Sequence, residues 1–343
     1  MRFCYVGHKF HQKTRSNAFF LDVLNEVGKV DEFYSSPDED ASADDPLVAE
    51  LSRSSFDAYV FWQTEYVAER LLPLGLGRFI LAPMYDGAAG RPATFWRQFV
   101  DAQFISFSRT HHEDLQRLGL KTAYFQYFPE PELAQYDFGS SLSAFFWERR
   151  PGQEPKFQSI IKLCEQLGVE ALHVHAAPDM GLGPAARLNW PDQFDLGDIK
   201  VTVSRWFEDR DDLDKLISKR HFVFAPRALE GIGMSFLEPM ARGQIVVAPD
   251  RPTMNEYLRH RTNGLLYDFD NVHLDYVPTK QSLQELSRGA LRTVSVGHRL
   301  WQMDQDRLKS LILNDGRRWS TKDASSHYRN GLQRRASARV SAA

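Results

Sequence analysis

Two acidic side chains and the residues between them carry the clearest chemistry in this 343-residue chain. Glu230 and Glu238 stand with seven residues between them, and the run Gly231-Ile232-Gly233-Met234-Ser235 follows the first. Glycine lacks Cβ, so Gly231 and Gly233 let the backbone approach a ligand closely. Ser235 reads as the N-cap of a helix Ser235–Arg242, and the unpaired N–H groups of a helix start favour an anion such as a diphosphate. Carboxylates accept hydrogen bonds from hydroxyls. Glu230, in the loop, suits the hydroxyls of a sugar, and Glu238, roughly one turn into the helix, suits those of a ribose. The stretch thus offers donors for phosphate and acceptors for two sets of hydroxyls, which is the chemical outline of a nucleotide sugar. Taken singly, either glutamate reads as an ordinary loop or helix charge. Together, with two glycines and a strand on each side, they read as a site.

The elements that must hold this loop are written on both sides of it. Phe222-Val-Phe-Ala225 is a short apolar run ending at Pro226 and reads as a buried strand. Gly243 stops the helix, and Ile245-Val-Val-Ala248 is the next strand. Strand, glycine loop, helix and strand in that order make half of a doubly wound α/β domain. In such a domain ligands bind outside the carboxyl ends of the strands, which is where Pro226–Gly233 is expected.

The pattern Glu230-Gly-x-Gly-x-x-x-x-Glu238-x-Met-Ala-x-Gly243-x-x-Val-Val-Ala248 resembles the Glu-x7-Glu signature of retaining, nucleotide-sugar-dependent glycosyltransferases of group 1, which are family 4-like and have the two-domain GT-B fold. Asn263-Gly264-Leu-Leu is similar to the turn that follows in that family. The resemblance implies an α/β chain of two doubly wound Rossmann-like domains facing a cleft. It implies transfer of a sugar from a nucleotide-diphosphate sugar to a sugar or lipid-linked glycan acceptor, with retention at the anomeric carbon, in polysaccharide or glycoconjugate synthesis. In the family an arginine and then a lysine follow the strand that opens the second domain, and both bind the donor diphosphate. Arg149 or Arg150, with Lys156, resemble that set. Such cations neutralise a diphosphate leaving group as its charge grows. The family also places a histidine, often followed by aspartate, after a strand of the first domain. Here Tyr85-Asp86 follow Phe79–Ala82, so the histidine is absent and Asp86 becomes the candidate for acting on the acceptor. A carboxylate takes a proton from a hydroxyl held within hydrogen-bond reach. The other reading of Asp86 is the opening of an Asp-Gly turn. Glu256 resembles a later glutamate of the family, without an assignable role.

The rest of the chain divides into residues 1–135 as the acceptor-side domain and 136–315 as the nucleotide-sugar domain. Residues 316–333 read as a helix crossing back to the first domain, and 334–343 as a disordered basic tail. Phe3–Val6 is the first strand, followed by a basic loop His8–Ser16 that can meet a diphosphate or an anionic acceptor and equally reads as a solvated turn. Tyr124–Phe128 reads as an apolar strand, Ala176–Gly197 as a Pro- and Gly-rich loop over the cleft, and Gln281–Arg292 and Leu300–Leu313 as two helices. Arg205, with Trp206 and Phe207, ends the strand Lys200–Val203, where a nucleobase would stack or a core would pack. His111 and His112 read as surface residues, and Asp38-Glu39-Asp40 as a solvated charge run rather than a metal motif.

Composition sets the limits. Hydrophobic residues make up 43% and charged residues 25%, ordinary for a globular chain, and the length suits two domains. A net charge of −3 gives no general affinity for nucleic acid, so none is expected as partner. The two cysteines, Cys4 and Cys164, read as reduced core residues of a cytoplasmic protein. No signal peptide or membrane-length apolar run is visible, and membrane contact is limited to a peripheral one at the inner face. The histidines lack zinc-site company, so neither metal nor resident cofactor is expected and the nucleotide sugar is the donor substrate. Two alternatives stay open: a nucleotide-sugar epimerase of the same fold, and a non-catalytic sugar-nucleotide-binding subunit, which the missing histidine favours.

Overall fold

Apolar runs without polar alternation form strands buried on both faces, and such strands pair in parallel between helices. The computed structural model describes residues 1–36, 46–132, 134–139, 141–178 and 189–313. The first half runs β1 (Arg2–His8), α1 (Lys9–Thr14), α2 (Ala18–Val27), β2 (Lys29–Ser35), α3 (Pro46–Arg53), β3 (Ala58–Trp62), α4 (Glu65–Leu71), β4 (Arg78–Ala82), α5 (Tyr85–Ala88), α6 (Ala93–Arg97), β5 (Gln103–Ser106), α7 (Arg109–Arg117) and β6 (Lys121–Tyr124). Its six strands are parallel in the order β2-β1-β3-β4-β5-β6. The order turns round between β1 and β3, so a crevice opens at their carboxyl ends, beside His8 and Trp62.

The second half runs β7 (Leu142–Trp147), α8 (Phe157–Leu167), β8 (Val169–His175), β9 (Gln193–Leu196), β10 (Ile199–Ser204), α9 (Arg210–Ser218), β11 (Phe222–Phe224), α10 (Met234–Arg242), β12 (Ile245–Pro249), α11 (Met254–Tyr257), β13 (Leu265–Tyr267) and α12 (Lys280–Leu313). The sheet order is β13-β12-β11-β7-β8-β10-β9, parallel throughout except that β9 pairs antiparallel with β10. Here the order turns round between β7 and β11. The two doubly wound sheets expected from the sequence are therefore present, each with its switch point.

Four local expectations are corrected. The basic stretch after β1 is not a loop but α1, whose start is capped by His8 Nδ1 accepting from the Phe10 N–H at 3.1 Å. The strand near Tyr124 is Lys121–Tyr124, and the apolar run after it leaves the ladder to pack under α12. There Tyr127 stacks on Phe19 at 3.9 Å and meets Trp301 at 5.5 Å. The stretch 176–197 contains β9, and a turn at Gly197 (φ 60°) folds it onto β10; residues 179–188 lie outside the described residues. The two C-terminal helices are one helix of 34 residues. Gly297 is not a break in it: a Cβ there would lie 2.3 Å from the Phe128 ring, so glycine lets α12 cross closely over that ring. Trp301 on α12 packs against Phe19 of the first half, and Arg78 donates to the carbonyls of Leu311 and Ile312. The crossing back to the first half is thus made by α12. The helix expected at 316–333, the tail 334–343 and the Asp38–Asp40 run lie outside the described residues.

Candidate active site

The two switch points face one cleft of about 480 Å³. The first half supplies His8, Phe10, His11, Trp62, Gln63, Met84 and Asp86. The second supplies Trp147, Arg149 and Arg150 after β7 and the loop Arg227–Ser235 after β11, with Glu238 from α10. Of the residues singled out from sequence, Asp86, Arg149, Arg150, Glu230, Gly231, Ile232, Gly233, Met234, Ser235 and Glu238 all line it.

Each glycine of the loop is required for a different reason. Gly233 has φ 89°, in the left-handed region, and it caps α10; a Cβ would strike the Phe236 ring. The N-cap is therefore Gly233 and not Ser235, which correctly belongs to the first helical turn. Its hydroxyl donates instead to Glu230 Oε1 at 3.3 Å. No side chain caps this helix start, and its residues Gly233, Met234 and Ser235 line the cleft, where unpaired N–H groups favour an anion. Gly231 has ordinary backbone, but its Cβ would lie 3.1 Å from Met84 Cβ and 3.2 Å from Asp86 Oδ1. It lets the second half's loop close against the first half's acid. Thr253, before α11, braces the loop from behind: its hydroxyl lies 2.7 Å from the Glu230 carbonyl and 3.0 Å from that of Gly231.

At the centre sits Arg227, to which the sequence reading assigned no role. It donates to Asp86 Oδ2 at 3.0 Å and approaches Glu230 Oε2 at 3.4 Å, with only 14% of its side chain exposed. The cation neutralises two largely buried carboxylates, one from each half. Asp86 Oδ1 is left buried with no hydrogen-bond partner among the described residues. Asp86 lies in the first turn of α5 and faces the cleft. Arg149 lies over the rings of Phe10 and Trp147, at 5.4 and 5.2 Å, and so also spans the halves. Beside it, Glu148 is pushed up to about 7 by burial, and it lines a smaller recess with Arg149, Arg150 and Arg227.

Two expected binding residues are not brought to this cleft. Lys156 is the N-cap residue of α8, exposed, with Nζ 3.4 Å from Glu154. Arg205 is turned outward to Asp192 at 2.9 Å and the Trp190 carbonyl at 3.1 Å, while its neighbours Trp206 and Phe207 do line the cleft. Arg205 already lies past the end of β10, and an acid holds each cation where it is: Asp192 pairs with Arg205 and Glu154 with Lys156. His111 is buried rather than on the surface, between Tyr85 and Trp96, and burial holds it down at about 4. Glu256 has a clear place: it accepts from Ser108 Oγ (2.9 Å), the Arg109 N–H (2.6 Å), the Thr110 N–H (3.0 Å) and Thr110 Oγ1 (2.8 Å). It caps α7 of the first half from α11 of the second. No signal in the local sequence marks Arg227 or Glu256 for these roles, beyond each being charged next to a strand end or helix start. Among the described residues no cluster of three His, Cys, Asp or Glu could hold a metal, and no helix is long and apolar enough to cross a membrane.

Residues 198–274, which hold the loop and α10, match the family model described as Glycosyl transferases group 1. No curated protein sequence matches the chain. Among solved structures, the sucrose-phosphate synthase of Thermosynechococcus elongatus superposes with a TM-score of 0.67 at 13% identity, covering 92% of this chain and 100% of that one. HepE of Anabaena, in complex with UDP and glucose, gives 0.61 at 14% identity, covering 90% and 100%. The lipopolysaccharide outer core galactosyltransferase WaaB, in its apo form, gives 0.57 at 12%, covering 92% and 100%. The fold is that of the GT-B glycosyltransferases, two Rossmann-like halves about a cleft, and the wall that holds Glu230 and Glu238 lies in the segment that matches the glycosyl transferases group 1 model.

Proposed function

We propose that the protein transfers a sugar from a nucleotide-diphosphate sugar to a sugar or lipid-linked glycan acceptor, with retention at the anomeric carbon. The observation that carries this reading is the meeting, in one cleft, of an uncapped helix start, Arg149 and Arg150 with Glu230, Glu238 and Asp86. The helix start and the arginines would hold the donor diphosphate and stabilise it as the bond from the anomeric carbon to phosphate breaks. Glu238 would take the ribose hydroxyls and Glu230 the hydroxyls of the sugar. Asp86 would receive the acceptor hydroxyl on Oδ1, the oxygen that Arg227 leaves without a partner. HepE, of the same fold, is known in complex with UDP-glucose, which supports a nucleotide sugar as donor. Such a donor and a lipid-linked acceptor would place the reaction at the cytoplasmic face of a membrane, in polysaccharide or glycoconjugate assembly.

The test is sugar transfer from a panel of nucleotide-diphosphate sugars into a mixed glycan and lipid-linked acceptor pool. The expected result is transfer that Glu230→Ala and Glu238→Ala each reduce by about 10- to 100-fold, the loss expected for one charged hydrogen bond made to substrate. Full activity in both variants removes the basis of the proposal. Incubation with donor alone separates the epimerase reading, because an epimerase converts the donor without acceptor and a transferase only hydrolyses it slowly. Binding of donor without turnover in any acceptor pool would leave a non-catalytic subunit.

A further inference from the structure

The cleft has a second polar device, away from the loop and its acids. Trp147, His175 and Ser204 stand at one register on the adjacent strands β7, β8 and β10, and Phe145, His173 and Thr202 stand two residues back on the same face. His175 is fully buried, lines the cleft, and stacks on Phe207 at 5.4 Å with Trp147 and Trp206 edge-on to it. Its Nδ1 is 2.9 Å from Ser204 Oγ, and the same Oγ is 2.8 Å from His173 Nε2. His173 Nδ1 is in turn 2.8 Å from Thr202 Oγ1. The chain of bonds ends at His175 Nε2, which is buried and has no partner among the described residues. A buried polar atom without a partner is costly, and it is expected where a ligand completes it.

The Ser204 hydroxyl has one proton, so it donates to one histidine and accepts from the other. If it donates to His175 Nδ1, the proton of that neutral ring sits on Nε2, and the cleft meets a donor. If it donates to His173, His175 gives its Nδ1 proton to Ser204, and the cleft meets an acceptor at Nε2. Both rings are held down at about 4 by burial, so above about pH 5 both are neutral and the choice lies between these two polarities.

Resting on the donor reading above, we propose that His175, set by Ser204 and His173, reads the hydrogen-bonding edge of the donor's nucleobase and is the residue that selects it. The partly exposed Trp206 ring and Phe207, which line the cleft beside it, offer an apolar surface on which any flat heterocycle could lie. The Nε2 atom adds a single directional bond, made to a ring carbonyl as donor or from a ring N–H or amino group as acceptor.

Calorimetric dissociation constants test this, with UDP, CDP, dTDP, GDP, ADP and inorganic pyrophosphate as probes of the full chain. The wild type is expected to favour one base. His175→Phe keeps the aromatic ring and removes the reading atom. It should weaken the favoured nucleotide about tenfold, narrow the spread among the five, and leave pyrophosphate binding unchanged. Ser204→Ala, which keeps the ring and frees its tautomer, should narrow the spread with less loss of affinity, and serves if His175→Phe does not fold. An unaltered ranking and spread in both variants, or no base preference in the wild type, overturns the assignment while leaving the donor reading in place. Failure of the wild type to bind any nucleotide overturns that reading and this one together.

Discussion

Arg227 keeps two acids from facing each other bare. Asp86 and Glu230 arrive from separate sheets, their side chains 14% and 8% exposed, and the guanidinium between them is what makes their approach tolerable. Arg227→Met should therefore cost about 3 kcal/mol in urea unfolding, since it leaves uncompensated buried charge. Adding Asp86→Asn to it should restore part of that loss, and strictly additive effects would show that the pair does not interact. At this scale the sequence revealed residues whose chemistry is local. Glu230, Glu238 and the glycines share one short stretch, so their spacing is visible in the letters. Arg227 lies in the same stretch, but its role comes from Asp86, 141 residues away, and nothing near it announces that partner. Lys156 and Arg205 show the reverse: residue type and rough position suggested a site, and the structure pairs them with Glu154 and Asp192 away from the cleft lining.

At the scale of elements, the halves are fastened by secondary structure as well as by side chains. Glu256 satisfies the start of α7, where N–H groups lack helical partners, and does so from the other half. Glu256→Ala should cost about 1–2 kcal/mol, the usual loss for a cap. Hydrogen exchange should quicken at the first-turn amides of α7, and unchanged protection there would show that the cap does not hold the helix. Strands were readable because buried parallel strands are continuous apolar runs, and β3, β4, β11 and β12 all have that form. Two of the failures share a cause. Phe125–Phe128 is apolar because α12 covers it, and Gly297 is glycine because α12 passes over Phe128, so a tertiary crossing looked like a strand in one place and a helix break in another.

For the whole molecule, buried titratable groups set how stability follows pH. Burial holds His11, His111, His173 and His175 down at about 4, against an ordinary value of 6.5. The unfolded chain binds protons there that the folded chain refuses, so these groups contribute stability that is present above about pH 6.5 and lost as pH falls towards 4. Glu65 and Glu148 act in the opposite sense. Burial raises both to about 7, so their contribution is present below about 4.5 and lost as pH rises through 7. His111→Phe removes one of the four without touching the cleft, and should flatten the fall in urea midpoint between pH 6.5 and 4.5; parallel curves for variant and wild type would contradict the assignment. The two-sheet plan itself was legible from the order of strands and helices, whereas the facing of the crevices came only from the family resemblance, because it depends on packing between halves that no local pattern records. That facing has an evolutionary corollary. Each crevice is framed by loops of its own sheet, so drift in the loops after β1 and β3 can remodel one pocket while the other keeps its shape, and a lineage built on this plan can diversify one ligand at a time.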